Sequence, residues 1–144
     1  MTQGMSDMLA SVVETNASLV LWVCLDGLPV SKNRRTLVGR GHVYTAPTAK
    51  AWMESVRDIC KSVRLGTVKR TDKLAMGIIV SAVHPKTFDI DGALPCLVDG
   101  VLAGLAADEE NFARPPDHLV WHIFASKEQH DLDTTEVCVL KLKE

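Results

Sequence analysis

The chain has 144 residues, 47% of them hydrophobic and 24% charged, and its formal net charge is −2 at pH 7. This length suits one compact domain and excludes two ordinary ones, and the composition is that of a globular protein and not of a disordered or fibrous one. No apolar run approaches the about 20 residues that cross a bilayer, and the first residues lack the basic start of a signal peptide.

The charges are unevenly distributed along the chain. Residues 1–74 contain 11 Lys and Arg against 6 Asp and Glu, whereas residues 75–144 contain 5 against 12. A basic half beside an acidic half suggests a polyanion-binding surface next to an acidic site. Two solvated faces of opposite sign would explain the same asymmetry.

The cysteines are far apart, form no CxxC pair and lie in apolar stretches or on an apolar helix face (Cys24, Cys60, Cys96, Cys138). This arrangement favours buried free thiols over disulfides or a zinc site. The sequence therefore predicts a reducing, cytoplasmic setting.

The first third of the chain contains one clear strand. Residues 1–16 are expected to form a variable, frayed or weakly helical extension before a domain at 17–144. The aliphatic run at 18–25 predicts a buried strand. Residues 26–44 contain Gly, Pro and Asn together with many cations, which indicates a loop or a loose hairpin.

Residues 45–66 give the clearest helical pattern. Thr45 is a suitable cap, Pro47 suits the first turn and Gly66 suits the C-terminal end. Apolar residues recur at spacings of 4, 3 and 4, which predicts one core-facing stripe (Trp52, Val56, Ile59, Val63).

The second half alternates strands and a helix. Residues 74–83 predict a buried strand, and an apolar face over about 94–105 predicts a helix. Strands are expected at 118–126 and 135–143, joined by a polar loop short enough for an antiparallel pair. The expected fold is therefore a single α/β domain with a mixed β-sheet packed with two main helices.

Two acids follow the strand at 74–83. An extended backbone would point the side chains of Asp89 and Asp91 the same way, about 7 Å apart, where they could share Mg²⁺. A polar turn, with Asp91 capping the next helix, is the alternative. After that helix come Asp108, Glu109 and Glu110, which are either further oxygen ligands or a solvated helix end.

The loop at 26–44 carries a dense cationic cluster. Arg and Lys in a glycine-containing loop suit contacts to phosphate, which would make this loop a clamp on a nucleic-acid backbone. A solvated surface loop is the alternative. The cations are Lys32, Arg34, Arg35 and Arg40, with His42 beside them.

Both constellations together resemble one family. The stretches GLPVSKNRR…GRGHVYTAPTAKAW (27–52) and FDIDGALPCLVDGVLAGLAADEENF (88–112) resemble the two signatures of the RusA family of Holliday-junction endonucleases. The element order agrees over residues 20–142. The resemblance implies a RusA-like fold and a homodimer, often phage-encoded, whose two Mg²⁺-dependent sites cut opposite strands of a four-way junction. Mn²⁺ is the alternative metal.

The resemblance also implies roles for individual residues. Asp89 and Asp91 match the metal-binding pair, Asp108 and Glu109 match the later acid pair, and Glu109 matches its catalytic member. Asp99 matches an aspartate within the helix. The DNA-contacting residues would be Lys32, Arg34 and Arg35, with Arg40 and Lys86 added from their positions in this chain.

The chain departs from the family pattern at three positions. Gly92 replaces a usual Asn, Glu109 replaces a usual Asp, and Pro95 occupies the place of a catalytic lysine. We expect Pro95 to delay the helix start and hypothesise that Lys86 restores the lost charge. The main function predicted is junction resolution in recombination and repair. The alternatives are a weakened or inactive RusA-like protein that binds branched DNA, and an acid-lined fold with a role in protein assembly.

Overall fold

A four-stranded mixed sheet carries helices on both of its faces. The computed structural model describes residues 2–13, 17–31, 36–39, 42–45, 47–107 and 117–143. The helices are α1 (Gln3–Val13), α2 (Pro47–Val63) and α3 (Ile90–Leu105), and the strands are β1 (Ala17–Asp26), β2 (Thr36–Gly39), β3 (His42–Thr45), β4 (Lys73–Ala82), β5 (Val120–Gln129) and β6 (Thr134–Leu142). Short 3-10 helices cover Pro85–Thr87 and Asp117–Leu119. The expected single α/β domain with a mixed sheet is thus confirmed. No helix among the described residues is long and apolar enough to cross a membrane.

The strand order in the sheet is β1-β6-β4-β5, and β2 and β3 form a separate antiparallel hairpin. β4 pairs with β6 antiparallel and with β5 parallel. The predicted antiparallel pairing of the last two strands is therefore wrong, because β4 lies between them. β4 is buried continuously from Leu74 to Val80, which suits a central strand, whereas β5 is largely exposed and lies at the edge.

Helices α2 and α3 cover one face of the sheet, called here the front face. Their core includes large aliphatic side chains that are fully buried (Leu21, Leu74, Met76, Leu97, Val101, Val137). The two helices approach closely at Gly104, where an added Cβ would lie 2.6 Å from the Arg57 carbonyl oxygen and 2.7 Å from the Cys60 Cβ. This contact fixes α3, and with it the segment that precedes α3.

The buried stripe of α2 differs from the predicted one. Val56 is buried as expected, but its buried companions are Ala49 and Cys60, while Ile59 and Val63 are 39% and 44% exposed. The small side chain of Cys60 faces α3 at Gly104, where the two helices approach closely. Thr45, the expected cap, is instead the last residue of β3.

Helix α1 covers the opposite, back face of the sheet. Met5 and Leu9 are buried against Ala75, Cys138 and Leu140 in a second core cluster. The segment expected to be weakly helical thus contains a helix that is packed on the sheet. The buried carboxylate of Glu136 accepts hydrogen bonds from the Trp22 indole (2.8 Å) and the Thr2 hydroxyl (2.8 Å), which ties the start of α1 to this face.

All four cysteines are free, as predicted. Burial raises the pKa of Cys60 to about 12 and that of Cys138 to about 11. Cys96 is also buried. The prediction that every cysteine is buried is wrong for Cys24, which is exposed because it points away from the face of β1 on which Val23 and Leu25 are buried.

Candidate metal site at the start of helix α3

The loops after three strands meet at the same end of the sheet. β4 and β5 are parallel, so their C-terminal ends lie at this end, and β1 ends there as well. The backbone N–H of Gly27 donates to the Asp133 carbonyl (2.9 Å), and the N–H of Val83 donates to the Asp133 carboxylate (2.8 Å). These bonds hold the loop after β1 and the loop that leads from β4 to α3 on either side of the β5–β6 connection.

Asp89 is the N-cap residue of α3, with an extended backbone (φ −93°, ψ 98°), and Asp91 lies in the first helical turn. The backbone is therefore not extended through residue 91, the condition under which the two side chains would point the same way, because the helix begins at Ile90. Asp91 lies inside the helix and therefore does not cap it, and the N-cap position is that of Asp89. Phe88 and Ile90, which flank Asp89, pack against the front core and leave the Asp89 side chain exposed.

The carboxylate of Asp89 is not used to cap the helix. An aspartate at an N-cap usually accepts a hydrogen bond from a backbone N–H of the first turn, but the side chain of Asp89 makes no such bond. Its Oδ2 lies instead against Gly92, where an added Cβ would meet this oxygen at 2.5 Å. Glycine at position 92 therefore leaves the space that the carboxylate occupies, which gives a physical reason for a glycine at this position.

Ser31 lies beside the same turn. An added Cβ at Gly92 would be 3.3 Å from the Ser31 hydroxyl as well as 2.5 Å from the Asp89 carboxylate. Ser31 immediately precedes Lys32, the first cation of the predicted phosphate clamp. Ser31 and Asp89, 58 positions apart in sequence, are therefore neighbours in space.

Pro95 lies inside α3, in its second turn. The expected delay of the helix start is therefore wrong. Pro95 has no N–H, so it cannot donate to the Asp91 carbonyl four residues earlier, and it carries no charge. Helix α3 accommodates the proline but provides no cation at that position.

The chemistry of the acid pair fits a hard divalent cation. Asp89 and Asp91 are both exposed, so they offer carboxylate oxygens while leaving room for the waters that Mg²⁺ retains. The N-terminus of a helix carries a positive partial charge, which stabilises carboxylates and also attracts phosphate. Among the described residues, no group of three or more His, Cys, Asp or Glu is arranged to hold a metal. Any metal on this pair therefore takes its other ligands from water, substrate or the rest of the chain.

The remaining predicted residues have different outcomes. Lys86 is exposed in the 3-10 turn Pro85–Thr87, three residues before Asp89. Asp99 is partly buried and lies about 12 Å along α3 from Asp91, at about 1.5 Å per residue, so the helix separates it from the pair. Six predictions lie outside the described residues and stay predictions: Asp108, Glu109, Lys32, Arg34, Arg35 and Arg40.

Lys127, near the C-terminal end of β5, is a residue of the site that the sequence analysis did not identify. Its ammonium group donates to the carbonyl oxygens of Pro85 (2.9 Å) and Phe88 (3.1 Å), next to Asp89. The signal that identifies it is the parallel pairing of β4 with β5, which periodicity alone does not give.

Comparison with known proteins adds no identification. No protein-family model matches the chain, and no curated protein matches it.

Proposed function

We propose that the chain is a metal-dependent, structure-selective endodeoxyribonuclease with a RusA-like fold. It would resolve Holliday junctions and other branched DNA during recombination and repair. The observation that carries the proposal is the closeness of Ser31 to Gly92 and Asp89, because Ser31 immediately precedes the first cation of the loop in sequence. A nuclease needs both parts together, because cations hold the DNA backbone and carboxylates hold the metal.

Asp89 and Asp91 would hold the metal, with Asp108 and Glu109 as further ligands implied by the family resemblance. When bound, Mg²⁺ or Mn²⁺ polarises the scissile phosphate and lowers the pKa of a coordinated water. The exposed position of the pair leaves access for a DNA strand. The N-terminus of α3 attracts the phosphate, and the clamp residues would hold the flanking backbone.

The resemblance also supports a homodimer that places two sites on opposite strands of a four-way junction. A protein of this kind would act in the cytoplasm, in a bacterial host cell if it is phage-encoded. Analytical ultracentrifugation, with and without a junction, tests the dimer.

The test of the activity is nicking of a synthetic four-way junction in the presence of Mg²⁺. We expect wild type to nick the junction and Asp91→Asn to lose this activity, since the amide is a poorer ligand for Mg²⁺ than a carboxylate. Asp7→Asn, an exposed change on α1, is the matched control and should nick like wild type. Unchanged nicking by Asp91→Asn would remove the acid pair from the mechanism.

A second function is favoured by Pro95, which replaces a lysine of the family pattern. If no other cation takes over that charge, the protein would bind branched DNA without cutting it. This alternative predicts structure-selective binding and no Mg²⁺-dependent turnover. Junction binding that survives Arg34→Ala with Arg35→Ala would count against both functions and favour the role in protein assembly.

A further inference from the structure

Lys127 on β5 reaches the backbone of the segment that precedes the acid pair. In the parallel pairing of β4 with β5, Lys127 lies opposite Val80, two residues before β4 ends. Paired residues point to the same side of a sheet, and Val80 is buried in the core of the front face. The side chain of Lys127 therefore extends over the face on which α3 begins.

The ammonium group of Lys127 is held in place by two backbone acceptors. It donates to the Pro85 carbonyl at 2.9 Å and to the Phe88 carbonyl at 3.1 Å, which belong to the first residue of the 3-10 turn and to the residue after it. The Phe88 carbonyl belongs to the peptide bond that joins Phe88 to Asp89. Lys127 thus fixes the backbone from which the Asp89 side chain projects.

The charge of Lys127 remains available to a substrate. Both acceptors are uncharged carbonyl oxygens, and in the described part of the chain no carboxylate forms an ion pair with this lysine. An ammonium group has three N–H donors, so one remains beyond the two backbone bonds. Such a group can attract a DNA phosphate to the start of α3, where Asp89 and Asp91 lie.

We propose that Lys127 supplies the fixed positive charge beside the acid pair, in place of a lysine at position 95. It does so from β5 and not from α3, and it is a positioning residue that also draws phosphate toward Asp89. This inference rests on the proposed nuclease function. It assigns the charge to Lys127 and not to Lys86: both side chains are exposed, but that of Lys127 is held by two backbone hydrogen bonds, whereas that of Lys86 forms none with the described residues.

The test compares Lys127→Met, which removes the charge at similar length, with Lys127→Arg, which keeps it. Lys143→Met is the matched control, because Lys143 is an exposed lysine beyond the opposite end of β6. The readouts are the single-turnover nicking rate of a four-way junction with Mg²⁺ and the Kd for that junction. We expect Lys127→Met to slow nicking about 100-fold, the usual loss of one preorganised electrostatic group, with a Kd within about threefold of wild type. We expect Lys127→Arg to keep at least about a tenth of the rate, since it retains the charge.

Three results would overturn the inference: a wild-type rate in Lys127→Met, a failure of Lys127→Arg to restore more rate than Lys127→Met, or a comparable loss in Lys143→Met. Hydrogen exchange of residues 85–89 adds a readout that does not depend on activity. We expect these residues to exchange faster than wild type in Lys127→Met and at the wild-type rate in Lys143→Met. A wild-type protein that does not nick refutes the proposed function. In that case faster exchange still supports the anchoring by Lys127, and unchanged exchange overturns it.

Discussion

The contact between α2 and α3 at Gly104 offers a sharp test of the packing that places the candidate site. A Cβ at this position would lie 2.6 Å from the backbone oxygen of Arg57, whereas ordinary contacts begin at 3.4 Å. Gly104→Ala must therefore separate the helices locally by about 0.8 Å, the difference between these distances, in a core that is otherwise close-packed.

The cost follows from which atoms the new methyl group meets. Overpacking a core costs about 1–3 kcal/mol, and the upper end applies here because a backbone oxygen and a Cβ cannot rotate away. Alanine in place of glycine inside a helix returns about 1 kcal/mol. We expect a net loss of about 2 kcal/mol in the free energy of unfolding. At about 2.1 cal/mol/K of unfolding entropy per residue, that loss lowers Tm by about 7 °C for a chain of this length.

Thermal melting followed by circular dichroism measures this loss. Gly66→Ala is the control, because no atom lies within 4 Å of its added Cβ, and it should not lower Tm. Gly100→Ala should fall between the two, since its nearest contact is the Val56 side chain at 3.1 Å. If Gly104→Ala melts within about 1 °C of wild type, the close approach of α2 and α3 is wrong.

Three further predictions concern other parts of the structure. Gly92→Ala should raise the Mg²⁺ concentration needed for half-maximal junction nicking, because the added Cβ displaces the Asp89 carboxylate; an unchanged Mg²⁺ dependence would contradict this placement. Leu9→Ala should lower the free energy of unfolding by about 2–5 kcal/mol in a denaturant titration, as for other buried leucines, whereas a frayed N-terminal segment would show almost no loss. Alkylation of the folded protein at pH 8, followed by mass spectrometry, should modify Cys24 first. Burial shields the thiols of Cys60 and Cys138 and keeps them protonated, so rapid modification of either would contradict their burial.

The elements could be predicted from local patterns, but their arrangement in the sheet could not. The apolar run at 74–83 identifies β4 because a strand buried on both faces needs apolar side chains on both. The apolar run at 18–25 also identifies a strand, β1, but alternate residues of β1 are exposed, so this strand is buried on one face only. The order of the strands depends on which strand takes the central position. A short polar loop between β5 and β6 favours a hairpin locally, yet burial of β4 on both sides places it between them. Local sequence patterns do not show which strand takes the central position.

For the same reason, only part of the candidate site could be predicted from the sequence. Asp89 and Asp91 stand out in the sequence because acids at this spacing after a strand suit metal binding. Phe88 and Ile90, which flank Asp89, are partly buried against the front core, and the helix begins at Ile90, earlier than periodicity predicts. Lys127 cannot be identified from local sequence patterns, because its place beside Asp89 results from the parallel pairing of β4 with β5.

The central claim is that Asp89 and Asp91 hold a divalent metal ion. Titration of Mn²⁺ into isotope-labelled protein, followed by paramagnetic broadening of backbone amide signals, tests it directly. We expect the strongest broadening at residues 89–92, and its loss in the Asp89→Asn, Asp91→Asn double variant. Broadening centred elsewhere, or equal broadening in the double variant, would contradict the claim.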